Sequence, residues 1–168
     1  SGAGPITHFD ASKFKTHFAC EVKGFDPLEV MDRKEARKCD RYSLLAISAA
    51  KQAVADAAMD LENENKDRIG VIFAAGIGGI RTFYEKTKDT IGPKFNPFFI
   101  PKMIADIAAG HISMMYGFRG PNFATVSACA SSTNAIADAF NYIRLGKANA
   151  IVTGGAEAAI AAPGLGGF

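Results

Sequence analysis

The hydrophobic and polar positions along the chain predict an alternation of strands and helices. Residues 1–37 mix glycine, proline, aromatic and charged residues without a sustained period, which is typical of loops and turns. Apolar residues recur at three- and four-residue steps from about 39 to 59 and indicate a helix. Continuous apolar runs at 69–75 and 150–153 favour buried strands, because their length and β-branched content suit the interior of a sheet.

The remaining segments continue this alternation. Residues 91–101 hold three prolines and three phenylalanines and indicate an ordered loop rather than a helix. Gly117 and Gly146 each follow a helical pattern, at the position where a glycine commonly ends a helix. Alternating strands and helices predict an α/β layered fold with a largely parallel sheet. The pattern also predicts helices at about 80–89, 102–116 and 131–145, the last with Ile136, Ala139, Phe140 and Ile143 on one face, and a strand at 123–128.

Composition narrows the possible functions. The chain has 168 residues, which suits one domain or one lobe of a larger domain, and 48% of them are hydrophobic, enough for a core. A net charge of +2 argues against nucleic acid as a partner, since nucleic-acid-binding domains usually carry a dense basic stripe. No apolar run reaches the roughly 18 residues of a membrane span, and the first residues lack the pattern of a signal peptide.

The cysteines and histidines do not form a metal-binding or disulfide pattern. Cys20, Cys39 and Cys129 are an odd number without C-x-x-C spacing, so neither a disulfide framework nor a zinc site is expected. Free thiols suit a reducing cytosol and predict a cytoplasmic protein. The three histidines share no metal-ligand spacing, and His111, in mid-helix among apolar residues, is interpreted as a hydrogen-bonded structural residue.

Residues 76–79, Gly-Ile-Gly-Gly, follow a predicted strand in the manner of a phosphate-binding loop. They lack the full G-x-G-x-x-G fingerprint, so neither a bound dinucleotide nor any other cofactor is expected.

One segment, Thr-Val-Ser-Ala-Cys-Ala-Ser-Ser at 125–132, has the pattern of a nucleophile elbow. A predicted strand runs into small residues, and a helix is predicted to start just after Cys129. Small neighbours allow a sharp turn, and the partial positive charge of a helix N-terminus favours negative charge on the sulfur. The alternative is that Cys129 is a small buried apolar residue. Cys20 and Cys39 lack this context and are predicted to be unreactive.

The whole chain resembles a known family, and residues 119–132 carry the resemblance most clearly. This Arg-Gly-Pro-Asn-Phe-Ala-Thr-Val-Ser-Ala-Cys-Ala-Ser-Ser segment is similar to the active-site signature of the ketosynthase branch of the thiolase superfamily. The flanking segments agree: Ala-Gly-His-Ile-Ser-Met-Met-Tyr-Gly at 109–117 and Gly-Gly-Ala-Glu-Ala at 154–158. Residues 76–79 and 96–101 resemble the elongating β-ketoacyl-acyl-carrier-protein synthases, synthase II more than synthase I.

The resemblance implies an acyltransferase of fatty acid elongation. In this family the cysteine, here Cys129, accepts an acyl group from an acyl-carrier protein. Malonyl carrier protein then loses carbon dioxide, and the carbanion attacks the thioester to give a 3-oxoacyl chain two carbons longer. The resemblance also implies a homodimer, and it implies that the backbone N–H of Cys129 forms half of an oxyanion hole.

Further site residues follow from the resemblance alone. Ile77 matches a residue that lines the acyl pocket and limits chain length. Phe99 matches an aromatic residue that reaches the partner subunit's acyl channel. Phe168 matches a residue beside the catalytic chamber. Ordinary core packing is the alternative for these three. A basic cluster matches the docking site of the acidic carrier protein, with a solvated helix start as the alternative. The members of this basic cluster are Lys34, Arg37, Lys38 and Lys94.

The chain also departs from the family pattern. The family fold has two similar α/β halves, and residues 1–168 correspond to a partial N-terminal half that lacks the opening strand and the half with the catalytic histidines and lysine. Because the chain has no initiator methionine, we expect a fragment or a processed product. We expect residues 1–168 alone to expose an apolar sheet face and an unpaired edge, and neither to fold stably nor to condense substrates.

Several alternatives remain at this point. The nearest are synthase I, a polyketide ketosynthase and a thiolase. Another is a non-catalytic partner subunit, such as a chain-length factor, or a fragment without activity of its own. Chain-length factors usually lack the nucleophile, so Cys129 argues against that interpretation.

Overall fold

The computed structural model describes residues 2–89 and 92–168, which form three layers around a parallel sheet. Strands β1 (Gly4–Pro5) and β2 (Phe18–Ala19) form a small antiparallel pair near the N-terminus. The main sheet has the order β4-β3-β5, and both of its pairings are parallel. Its strands are β3 (Ile69–Ala74), β4 (Asn122–Phe123) and β5 (Ala150–Gly155).

Seven α-helices occur in the described residues. Three short 3-10 helices add to them, at Pro27–Glu29, Lys66–Arg68 and Ala128–Ala130. The α-helices are α1 (Arg33–Ala36), α2 (Arg41–Asp56), α3 (Ile80–Thr87), α4 (Phe99–Met103), α5 (Ile107–Tyr116), α6 (Ser131–Arg144) and α7 (Ala162–Gly167).

The core lies on both faces of β3, which is buried at every residue. Val71 and Phe73 face α2 and α5, where Ile47 and Ile112 are fully buried. Alternate residues of β3 face α6 on the other side of the sheet. Because burying one such aliphatic side chain contributes about 2 kcal/mol, the two-sided packing of β3 holds the layers together.

A buried carboxylate joins the start of α2 to the start of α3. Asp40 caps α2 by accepting a hydrogen bond from the N–H of Tyr42 at 3.1 Å. Its other oxygen accepts from the N–H and the hydroxyl of Thr82, at 3.0 and 2.6 Å. The start of α3 is thereby fixed against the core, together with residues 76–79 that precede it.

Most of the predicted elements are confirmed, with shifted ends. The parallel sheet is present, the helix predicted at 39–59 is α2, and those predicted at 80–89 and 131–145 are α3 and α6. Gly117 and Gly146 follow their helices with φ of 69° and 66°. Residues 1 and 91, at the ends of two predicted loops, lie outside the described residues.

The prediction for residues 91–116 is partly wrong. Phe99 begins α4, so residues 99–101 are helical although Pro101 is among them. Proline is tolerated there because the first turn of a helix needs no N–H donors. The single helix predicted at 102–116 is two helices, because Ile104 is extended, with ψ of 138°, and interrupts them.

The strand predicted at 123–128 is also wrong beyond its first residue. Strand β4 ends at Phe123, and residues 124–127 have no regular structure. Thr125 donates its hydroxyl hydrogen bond to the carbonyl of Ser131, and the N–H of Ser127 donates to the Ser131 hydroxyl. These groups therefore hold the start of α6 instead of extending the sheet.

The apolar face predicted for α6 is divided, because its Ala139 packs on the sheet and its three larger residues point away from it. Ala135 and Ala139 are buried against β3, whereas Ile136, Phe140 and Ile143 are 54%, 58% and 42% exposed. Small side chains let the helix approach the sheet closely. The outer side of α6 thus leaves an apolar surface open, whereas the sheet, where we expected one, is covered on both faces.

Candidate active site

Cys129 lies in the 3-10 turn that leads into α6, and its side chain is exposed. The residue before it, Ala128, has a φ of 50°, a left-handed conformation that is uncommon for a residue with a Cβ. Such strain is typically retained where the surroundings fix it, often at functional sites. The sharp turn expected at Cys129 is thus present, although the strand expected to lead directly into it ends at Phe123.

A network around the buried hydroxyl of Ser131 holds this turn. The hydroxyl accepts a hydrogen bond from the N–H of Ser127 at 2.8 Å and donates to the carbonyl of Ala128 at 2.7 Å. Asn134, one turn into α6, donates to the Ser127 hydroxyl at 2.7 Å. From the sequence, these serines are interpreted only as small residues of the turn. The sequence feature that could have indicated this hydrogen-bond network is the serine at the first position of the helix, Ser131.

A cavity of about 370 Å³ opens at Cys129. Ile77 and Phe168 line it together with the cysteine, so the structure brings three of the predicted site residues to one place. Phe168 is 92% exposed and forms part of the rim. Small residues form most of the remaining wall: Ala74, Ala75, Ala128, Gly155, Ala156 and Ala159. The cavity is therefore largely apolar, which suits an aliphatic chain.

Glu157 is a polar residue of this cavity to which the sequence argument gave no role. Its Oε2 accepts a hydrogen bond from the N–H of Ile77 at 2.7 Å, and its Oε1 accepts from the N–H of Ala158 at 3.2 Å. The residue follows β5, and it was visible in the sequence as the acidic residue of the Gly-Gly-Ala-Glu-Ala segment.

Phe99 does not line the cavity at Cys129. Its ring lies 4.8 Å from that of Phe95 and 6.4 Å from that of Phe83, measured between ring centroids. Phe83, Phe95 and the neighbouring Phe98 and Ile100 are each at least 40% exposed. Phe99 thus belongs to an exposed aromatic patch, and its predicted role toward a partner subunit stays a prediction.

Three residues of the predicted basic cluster, Lys34, Arg37 and Lys38, lie in α1 or directly after it. Lys34 and Arg37 are exposed, whereas Lys38 is half-buried and forms an ion pair with Glu35 at 2.5 Å. The Lys38 ammonium also lies 5.5 Å from the centroid of the Phe98 ring. Lys94 is exposed, and its place in the basic cluster stays a prediction. Glu35 therefore neutralises Lys38 in part, and Lys34 and Arg37 are the more available cations.

The other two cysteines lie outside the cavity at Cys129. Cys39 is buried, and its Sγ lies 3.5 Å from Nε2 of His111. Burial raises the pKa of Cys39 to about 11 and lowers the pKa of His111. Both groups are therefore neutral near pH 7, which agrees with an unreactive thiol and a hydrogen-bonded structural histidine. Cys20 is exposed and free.

Residues 76–79 are shaped by packing. Gly78 has a φ of 87°, and a Cβ on Gly79 would overlap the Lys102 carbonyl of α4. The glycines therefore allow residues 76–79 to approach α4 closely. Among residues 2–89 and 92–168, no group of three acidic, histidine or cysteine side chains could hold a metal ion, and no helix is long and apolar enough to cross a membrane.

The three-layer α/β fold, with a cysteine at the turn before a helix packed on the sheet, is of the thiolase-like class. Residues 5–168 match the family model for the N-terminal domain of the β-ketoacyl synthases. The chain belongs to the β-ketoacyl synthase family. It is 43% identical over 171 aligned residues to the 3-oxoacyl-[acyl-carrier-protein] synthase 2 of Staphylococcus aureus and, separately, to that of a Synechocystis species. The alignments cover 100% of this chain but 41% of each relative, so the chain spans less than half of their length.

Solved structures agree on the fold. A β-ketoacyl synthase from Burkholderia phymatum superposes with a TM-score of 0.68 at 28% identity, over 81% of this chain and 34% of that one. A type II PKS ketosynthase in complex with its acyl-carrier protein superposes with a TM-score of 0.74 at 21% identity, over 82% of this chain and 40% of that one. The predicted thiolase-like α/β fold is therefore confirmed.

Proposed function

We propose that this chain supplies the nucleophile and part of the acyl pocket of a 3-oxoacyl-[acyl-carrier-protein] synthase of fatty acid elongation. The observation that carries the proposal is the exposed Cys129 at a strained turn, opening on a largely apolar cavity, in a chain of the β-ketoacyl synthase family. The 43% identical relatives named synthase 2 favour this activity over that of a polyketide ketosynthase.

The chemistry begins with transfer of an acyl group to Cys129. The sulfur attacks the carbonyl carbon of the carrier's thioester, a new thioester forms on Cys129, and the carrier leaves as a free thiol. The malonyl group of a second carrier then loses its carboxylate as carbon dioxide. The resulting carbanion attacks the Cys129 thioester, a carbon–carbon bond forms, and the Cys129 sulfur leaves.

This chain holds only part of the machinery for these steps. None of His8, His17 and His111 lines the cavity at Cys129, so the two histidines that the family resemblance implies would come from another part of the protein. We propose that residues 1–168 are a partial N-terminal half that needs a C-terminal half. The exposed apolar stripe of Ile136, Phe140 and Ile143 on α6 supports this, because a surface of this kind normally packs against protein.

We further propose a cytoplasmic homodimer. The three free cysteines suit a reducing compartment. The exposed aromatic patch around Phe99 supports a contact with a second subunit, in which Phe99 would reach the partner's acyl channel. No metal or cofactor enters the proposed reaction.

Acylation mapping tests the proposed function. The complete synthase, meaning residues 1–168 joined to the C-terminal half, is incubated with a radiolabelled acyl-carrier-protein thioester without malonyl carrier. We expect one stable acyl group on the peptide that contains Cys129. Label mainly on Cys20 or Cys39, or no covalent label, would overturn the proposal.

We propose that the acyl-carrier protein docks on the basic surface formed by Lys34, Arg37, Lys38 and Lys94. The exposed positions of Lys34 and Arg37 support this proposal, because carrier proteins are acidic and electrostatic steering accelerates transient encounters.

Reversing two of these charges tests the docking surface. In the complete synthase, Lys34→Glu combined with Arg37→Glu is expected to lower kcat/KM for carrier-borne acyl groups roughly tenfold. Acylation by a small acyl thioester without carrier should be unchanged, and the defect should shrink at high salt. Lys51→Glu, on the exposed side of α2, is the matched control. An equal loss in this control, or with the small thioester, would exclude docking here.

A further inference from the structure

The hydrogen bond between Glu157 and Ile77 lies just beyond the end of the main sheet. Strands β3 and β5 pair as far as Ala74 and Gly155, and the N–H of Ala156 then donates to the Ala74 carbonyl at 3.1 Å. Beyond this bond no described backbone hydrogen bond links the two chain segments. The side chain of Glu157 links the two segments at this point, because it accepts a hydrogen bond from the N–H of Ile77 at 2.7 Å.

Both described hydrogen bonds of the Glu157 carboxylate come from backbone N–H groups. Oε2 accepts from Ile77 and Oε1 from Ala158, at 2.7 and 3.2 Å. In the described part of the chain Glu157 forms no ion pair, although Arg41 and Arg81 line a neighbouring cavity with it. Both residues are exposed, and the 2.7 Å hydrogen bond gives the backbone N–H of Ile77 a fixed acceptor.

Gly76 lies between this carboxylate and the turn at Cys129. A Cβ at Gly76 would lie 3.2 Å from Oε2 of Glu157 and 3.3 Å from the carbonyl oxygen of Ala128. Gly76 therefore packs closely against Glu157 and against Ala128, the residue before the nucleophile. On the C-terminal side of Ile77, residues 78–79 are held against α4. Ile77 is thus fixed from both sides, with its side chain on the cavity wall.

We propose that Glu157 is a positioning residue that sets the depth of the acyl pocket by holding Ile77 in place. This inference rests on the proposed function, because it assumes that the cavity at Cys129 holds the acyl chain. In this proposal a fixed Ile77, which lines the cavity and is 40% exposed, limits the length of the acyl chain that fits beside the cysteine. Without the acceptor on Glu157, the N–H of Ile77 loses its partner, and the side chain can move away from long acyl chains.

The test compares acyl chains of two lengths on the complete synthase. The rates of Cys129 acylation are measured with hexanoyl and dodecanoyl carrier thioesters for the wild type and for Glu157→Ala. Loss of one hydrogen bond to Ile77 is expected to raise the dodecanoyl-to-hexanoyl rate ratio about fivefold. Glu157→Gln, which keeps an oxygen acceptor for Ile77, should retain the wild-type ratio. Glu157→Ser replaces the alanine variant if that protein does not fold.

A second comparison shows whether the effect runs through Ile77. Ile77→Ala should raise the same ratio by itself, and adding Glu157→Ala should then change it little. Full additivity of the two changes would overturn the inference. So would an equal fall with both chain lengths, which a merely structural role would give, or a Glu157→Gln variant that behaves like Glu157→Ala, which would point to charge instead of position.

The outcomes separate this inference from the proposed function. If the wild type is not acylated on Cys129, the proposed function fails and this inference fails with it. If the wild type is acylated and the Glu157→Ala ratio is unchanged, only the positioning role of Glu157 is excluded.

Discussion

Replacing Cys129 with alanine is expected to lower the rate of 3-oxoacyl formation by the complete synthase roughly a thousandfold or more. The physical reason is that the acyl group then has no sulfur to carry it, so condensation through a thioester on the enzyme cannot occur. The pocket walls remain, because the Cys129 side chain is exposed and holds no part of the buried core. The variant should therefore fold normally while losing its activity.

Two measurements check this prediction. Steady-state formation of the 3-oxoacyl product reports the loss of turnover, and mass spectrometry of the intact protein reports whether an acyl group is still attached. Cys20→Ser is the matched control, because Cys20 is also exposed but lies outside the cavity at Cys129. An acyl-enzyme that persists in Cys129→Ala, or an equal loss in Cys20→Ser, would contradict the assignment.

The sheet and its helices could be predicted because their signals are local. The continuous apolar run of β3 reflects burial on both faces, and the periodicity of α2 reflects one buried face. The prediction for the apolar face of α6 was only partly right, because periodicity shows that a face is apolar without showing which part of the protein covers it. Ala135 and Ala139 pack on the sheet, while the larger apolar residues remain open.

The candidate site was predictable to a different degree at each residue. Cys129 could be found because a cysteine among small residues before a helix is a local pattern, and the resemblance to a family also pointed to Ile77 and Phe168. Glu157 could not be given a role because its partner, the N–H of Ile77, is 80 residues away along the chain. A contact of that kind depends on how β3 and β5 end, which no local pattern encodes.

Replacing Gly79, in the loop of residues 76–79, is expected to lower the stability of the protein strongly. A Cβ at this position would overlap the carbonyl oxygen of Lys102 and lie 2.6 Å from the Cα of Met103. These are backbone atoms of α4, and the N–H of Gly79 also donates to the Met103 carbonyl at 3.1 Å. Since backbone atoms cannot rotate away like the end of a side chain, an added methyl group must separate the loop from the helix.

Gly79→Ala is therefore expected to lower the free energy of unfolding of the complete synthase by about 3 kcal/mol. Denaturant-induced unfolding, followed by circular dichroism, measures the change. Gly92→Ala is the matched control, because a Cβ there would meet no atom of the described residues within 4 Å apart from its chain neighbours, and its effect should stay within about 0.5 kcal/mol. Separation of the loop from α4 should also free the backbone of Ile77 on its C-terminal side. The folded Gly79→Ala protein should therefore have a higher dodecanoyl-to-hexanoyl ratio of acylation rates than the wild type. Equal stability of the two glycine variants would mean that the close packing of Gly79 against α4 does not hold this wall of the cavity.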